Sequence, residues 1–276
     1  MDTVTKEKIR SPAVAGQFYP ANPNKLEEQV GSYLFDAAPP AGVIGAVMPH
    51  AGYIYSGAVA GETASHFTVP GRVIVLGPNH TGLGSAVSVY PTGSWQMPFG
   101  DVPIDEGLAS RIIDSIGPAE PDRSAHMREH SIEVQLPFLY YRRGSEFAFV
   151  PITLAMLDER TCSRLGEGLA GVIRESGDDI LIVASSDMTH YESQQSAKVK
   201  DTLAIERILD LDPEGLLDTV HARRISMCGV IPTAVMLFAA KAMGAAGARL
   251  IRYTTSGETS GDFDHVVGYA GLVVHK

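Results

Sequence analysis

Arg72-Val-Ile-Val-Leu-Gly-Pro-Asn-His80-Thr-Gly is the stretch whose reading decides the fold class. Val73 to Leu76 is a short apolar, β-branched run that fits a buried strand. Gly77-Pro78-Asn79 is a turn signature, and His80 follows where the carboxyl end of that strand should meet solvent. In open α/β sheets, chemistry collects at the carboxyl ends of strands. Two other stretches repeat the pattern. Val43 to Met48 runs into Pro49-His50-Ala-Gly-Tyr53, and Ile180 to Ala184 runs into Ser185-Ser-Asp187-Met-Thr-His190. Three strand-like runs each deliver His, or Asp and His, just past their end.

Outward from these runs, strand and helix signals alternate. A lead-in segment, residues 1–42, carries a helix over 23–35, with Asn22 as N-cap, Pro23 at its first position and Pro39-Pro40 as terminator. Further helices are expected over 56–67, 105–116, 124–141, 158–175, 197–209, 213–220 and 229–243, and further strands over 86–90, 147–154, 249–253 and 266–274. Residues 91–100, which contain the only Trp, are expected to form a loop. The run from Val43 to Leu76 reads as a β-α-β unit, so the strands ahead of His50 and His80 are expected to be neighbours, their ends about 5 Å apart. No linker or repeat interrupts the pattern, and one α/β domain over residues 1–276 is the economical reading. The last two strands, joined by a Gly/Ser/Thr-rich loop without a helix signal, can run antiparallel.

Composition narrows the partners. The 276 residues are 45% hydrophobic and 20% charged, with a net charge of −10. That balance argues against nucleic acid and against an anionic membrane surface, both of which favour a basic face. No apolar run reaches the length of a spanning helix, and residues 1–10 lack the apolar core of a signal peptide. Two cysteines, Cys162 and Cys228, do not make a disulfide framework. A cytoplasmic protein is expected.

Two imidazoles at neighbouring strand ends can share a divalent metal, which then needs a third ligand. Cys228, just ahead of an apolar helix, is a candidate, because a helix N-terminus favours the thiolate. A small buried hydrophobe is an equally good account of that cysteine. Asp187 and His190 offer an acid/base pair beside a metal, or a Cys-His-Asp triad with Cys228. His130 and Glu133, three apart, are expected on one helix face. His126-Met-Arg-Glu-His130 matches the H-x-x-E-H zinc protease signature. It has only three fixed positions and leaves His50, His80 and Cys228 unexplained, so it is set aside.

Together, Pro49 to Gly57, Leu76 to His80, Glu129-His-Ser-Ile-Glu-Val-Gln-Leu-Pro-Phe138, Ser185 to His190 and Cys228-Gly-Val-Ile-Pro232 resemble the Memo family, called AmmeMemoRadiSam system protein B in prokaryotes. The likeness extends to Pro12 to Pro20, Thr255 to Asp262 and Val267 to Ala270. It implies a single domain similar in fold to the class III extradiol dioxygenases, with a central mixed, largely parallel sheet flanked by helices. In those enzymes two His and one Glu hold non-haem Fe(II); in the Memo family a Cys stands in place of that Glu. Carried onto this chain, His50, His80 and Cys228 match the metal positions, and Asp187 and His190 match a second pair in the same pocket. Tyr53, Asn79, Glu129, His130 and Glu133 are candidates to line that pocket. Fe(II) is the expected metal, with Cu or Zn as alternatives because a thiolate softens the site. Three functions follow in order: a metal-dependent redox enzyme, a module that binds a small molecule or peptide in the same pocket, and a Cys228 hydrolase. The prokaryotic name also implies a pathway link to a radical-SAM protein.

Overall fold

The computed structural model describes residues 9–37 and 42–276. The strands are β1 (Ile9–Arg10), β2 (Val43–Met48), β3 (Arg72–Pro78), β4 (Val87–Val89), β5 (Ser94–Met97), β6 (Gly100–Pro103), β7 (Glu120–Pro121), β8 (Ala148–Leu154), β9 (Ile180–Ser185), β10 (His190–Glu192), β11 (Gly247–Thr255) and β12 (Val266–His275). The helices are α1 (Pro23–Tyr33), α2 (Tyr53–Ser65), α3 (Glu106–Ser115), α4 (Leu136–Arg143), α5 (Glu159–Ser176), α6 (Gln194–Leu209), α7 (Pro213–Ala222), α8 (Val230–Ala242) and the short α9 (Gly257–Ser260).

Nine strands form one mixed sheet, in the order β10-β12-β2-β9-β3-β8-β4-β7, with β11 also on β12. Its centre, β2-β9-β3-β8, is parallel throughout, and its flanks are mostly antiparallel, including β11 with β12. Residues Val73 to Leu76 and Ile182 to Ala184 are fully buried, as strands covered on both faces require. On one side α2 packs on β2, β11 and β12 and is joined by α1 and α4; on the other, α8 packs on β2, β3 and β9 and is backed by α5. The apolar residues of α8 are buried all round, which fits a helix buried between the sheet and α5.

Several expectations are corrected. β9 lies between β2 and β3, so the strands ahead of His50 and His80 are not neighbours. The α2 crossover skips one position, which the later strand fills. Residues 91–100 are not all loop: β5 and β6 pair as a hairpin and β1 adds to it, with Trp95 and Met97 buried and Gln96 between them exposed. That alternation was hidden by the surrounding prolines. Helix α2 begins at Tyr53, three residues early, because Tyr53 is buried and its N–H donates to Phe18 O. The helix expected over 124–141 is two short 3-10 turns and α4 only, with an irregular loop over 127–132. Pro39-Pro40 and residues 1–8 lie outside the described residues; α1 ends at Tyr33. No helix of the described residues is long and apolar enough to cross a membrane.

Candidate functional site

Because the central strands are parallel, β2, β9 and β3 end on one edge of the sheet. Their loops carry His50, Asp187 and His80 there. Cys228 reaches the same site two residues ahead of α8. Ligand atoms of His50, His80 and Cys228 all lie within 4.8 Å of one another. The His50 and His80 rings meet edge to face with centroids 5.3 Å apart, and Cys228 Sγ is 3.2 Å from His50 Nε2.

Hydrogen bonds set the tautomers of His50, His80 and His190. Ser185 Oγ donates its one proton to Ser131 O at 2.7 Å and accepts from Gln135 Nε2 at 2.7 Å. Its remaining lone pair faces His50 Nδ1 at 2.9 Å. A hydroxyl has one donor and two acceptor sites, so His50 Nδ1 carries the proton and Nε2 is bare toward Cys228. His80 Nδ1 lies 2.9 Å from Glu129 Oε1 and His190 Nδ1 2.9 Å from Ser226 O. Both partners only accept, so these rings take the same tautomer. An imidazole tied at one nitrogen to a carboxylate or hydroxyl, with the other nitrogen free, is the arrangement metal-binding histidines use.

Burial favours the neutral form of two of the three donors, His50 and Cys228, while His80 is pulled the other way by Glu129. Burial, then His130 and His80, hold His50 well below the ordinary histidine range. Burial works against protonation of His80 too, but the Glu129 hydrogen bond and charge outweigh it and its pKa is raised. Burial, then the Asp187 carboxylate, push the Cys228 thiol up. The helix N-terminus therefore does not make Cys228 a thiolate in the metal-free chain; a bound divalent cation lowers a coordinated thiol strongly. The donor set fits such a cation: two oriented imidazoles and one thiol, mutually within reach.

Other expected residues divide. Glu129 and His130 join the site. His130 stacks on His80 at 4.9 Å, faces His50 at 5.6 Å and touches Phe18 at 4.8 Å. Glu133 does not share its face. It turns away to accept from Arg10, Tyr19 and the Ala13 and Val14 N–H groups. The cause is that Glu129 bonds the N–H groups of His130 and Ser131, which holds the chain out of helix there. Tyr53 is buried, its hydroxyl donating to Val134 O, and Asn79 is spent in its own turn, bonding Thr81, Gly82 and Leu83. Asp187 Oδ1 accepts the His50 N–H at 2.7 Å and does not orient His190, whose ring is held by Ser226. The Cys228-His190-Asp187 triad is thus not assembled. His126 is fully buried between Ser88 O and Thr153, which removes the H-x-x-E-H reading.

The chain as a whole has known relatives. Residues 10–273 match the family of Memo-like proteins. A MEMO1 family protein of Methanopyrus kandleri is 45% identical over 97% of this chain and 99% of its own length. One from Methanosarcina barkeri is 43% identical over 96% of this chain and all of its own. The chain belongs to the Memo family. An uncharacterized protein of Escherichia coli K12 superposes with a TM-score of 0.51 at 13% identity, covering 84% of this chain and 99% of that one, and shows the fold alone. Within this Memo chain, sequence reading missed Ser185, Ser131, Gln135 and Arg10, which hold the site from behind. Ser185 stood in the strand-end pattern, a signal that was present; Arg10 gave none.

Proposed function

We propose that this Memo protein is a metal-dependent oxidoreductase in which His50 Nε2, His80 Nε2 and Cys228 Sγ hold one iron(II) ion, with copper as the alternative. One observation carries the reading: two imidazoles and one thiol from three separate parts of the chain converge within 4.8 Å, and each imidazole is turned donor-inward by a partner behind it. When bound, the metal supplies one-electron chemistry and Lewis acidity that no side chain has. The chain's own residues do the rest. Ser185 and Glu129 keep the bare nitrogens aimed inward. His190, partly exposed with Nε2 free, is placed to hold or accept a proton of a ligand, and His130 forms the facing wall. Protein purified without oxygen should consume O2 with at least one of a panel of phenolic and thiol compounds, and His80→Ala should abolish this. Consumption equal in both proteins would remove the reading.

A ligand-binding module is the second reading, favoured by the exposed apolar side chains beside the site. Ile54 and Tyr191 are 67% and 76% exposed, and Tyr191 adopts a left-handed φ of 59°, a conformation a bulky residue rarely takes. Small-molecule or peptide binding that survives a His50→Ala, His80→Ala double substitution would favour it.

A further inference from the structure

Arg10 is a guanidinium with no exposed surface. Beside a long contact to its neighbour Ser11 O, its fork serves three distant acceptors at once. Nε donates to His126 O at 2.8 Å, Nη1 to Glu133 Oε2 at 2.6 Å and Nη2 to Glu129 O at 2.6 Å. The carbon of the fork sits 4.0 Å over the Trp95 ring. Glu133 completes the clasp by accepting from Ala13 N at 2.7 Å, Val14 N at 3.1 Å and the Tyr19 hydroxyl at 2.6 Å. Residues 10–19 are thereby bound to the loop over 126–133, more than a hundred residues away in sequence.

That loop has no helix or strand to set its shape between His126 and Glu133. It nonetheless carries Glu129, whose carboxylate fixes the His80 ring, and His130, which stacks on it. Arg10 holds the main-chain carbonyl of the same Glu129 whose side chain holds His80. Stability alone is a poor account of this clasp, since a buried ion pair is often replaceable by apolar residues at no loss. A lysine offers one compact ammonium where the planar fork reaches three acceptors.

We infer that Arg10 is a positioning residue of the candidate metal centre: it fixes the Glu129 loop and, through Glu129, the tautomer and direction of His80. The inference rests on the proposed reading of His50, His80 and Cys228 as ligands. Removing the fork leaves Glu129 free to shift and lets Nδ1 and Nε2 of His80 exchange the proton.

The test uses the full chain with cobalt(II) alone as probe, titrated against a competing chelator without oxygen. Arg10→Lys keeps the charge beside Glu133 but loses the two carbonyl bonds. It should bind cobalt about ten-fold more weakly, the range seen when groups behind a ligand are removed. Arg72→Lys, which keeps the charge but loses the two-pronged hydrogen bonding to Asp105 at the opposite end of β3, should leave the affinity unchanged. Nitrogen-15 spectra of the metal-free Arg10→Lys protein, taken at alkaline pH where the imidazole is neutral, should show a tautomer mixture at His80, where the parent shows Nδ1–H alone. Cobalt affinity and tautomer both equal to the parent in a folded Arg10→Lys protein would overturn the inference and leave the metal reading intact. A parent that binds no cobalt would overturn both. Should Arg10→Lys not fold, hydrogen exchange of the parent decides. Coupling is reciprocal, so cobalt must slow exchange in residues 9–20 as well as 126–133, and unchanged exchange in 9–20 would sink the idea.

Discussion

On Glu129 four N–H groups converge: the main-chain and ring N–H of His80 and the main-chain N–H of His130 and Ser131. Burial alone would raise this carboxyl, yet the His80 hydrogen bond and charge, with the backbone donors, bring it down to about 2. A carboxylate depressed below its unfolded value of about 4.3 adds stability above that pH and loses it as pH falls toward 2. Chemical unfolding of the metal-free protein should therefore show a loss between pH 5 and pH 2.5 that Glu129→Gln lacks. Equal losses in both proteins would count against the bonding described. Asp187 runs the other way. Burial raises it to about 6 despite the N–H donors of His50 and Ala51, so its proton favours the folded state. The stability present at pH 4 is lost as pH rises through about 6. Asp187→Asn keeps an oxygen to accept those N–H groups and drops the charge. It should stabilise the metal-free protein at pH 7 by about 1–3 kcal/mol and change little at pH 4. Destabilisation at pH 7 would contradict this. In the sequence Asp187 stood just past a strand, and Glu129 stood beside His130 in the stretch read as helix. Their opposite titration was not visible there, because it depends on which N–H groups reach each carboxylate.

At the level of elements, the approach of α8 to the end of β9 decides where Cys228 lands. A Cβ on Gly229 would collide with Ser185 O and with the Ser186 side chain. Gly229→Ala should push Cys228 away from His50, cost about 1–3 kcal/mol of stability by overpacking, and abolish cobalt binding detectable by its visible absorption. A Gly229→Ala protein that binds cobalt as the parent does would show that this close approach is not needed. Such a contact is beyond sequence reading, since glycine ahead of a helix signals a turn as readily as a tight fit. The long buried strands and α5, with Asp158 capping it and Gly177 closing it, were legible because period and caps agree. The loop over 127–132 was misread as helix. Its composition permits helix, and the bonds that prevent it come from Glu129 and from Arg10.

Across the whole molecule, the parallel centre of the sheet acts as the organiser. It sends the loops after β2, β9 and β3 to one edge, which is why a strand-then-histidine pattern was informative in the bare sequence. The order of those strands was not legible. Insertion of β9 between β2 and β3 is a long-range pairing choice, and it moves Asp187 between the two histidines instead of beside them. The residue set proposed to hold a metal thus follows from sequence pattern and family likeness. Of the groups that aim it, Ser185 and Glu129 stood in quoted motifs, while the roles of Gln135 and Arg10 emerge only once the chain is folded. The central claim is that His50, His80 and Cys228 form one metal centre. Metal quantification on protein purified without oxygen tests it most directly, alongside His50→Ala, His80→Ala and Cys228→Ala. The account predicts close to one transition-metal ion per chain in the parent and a loss of most of it in each variant that remains folded. A parent without metal after loading, or variants that retain the full complement, would contradict it.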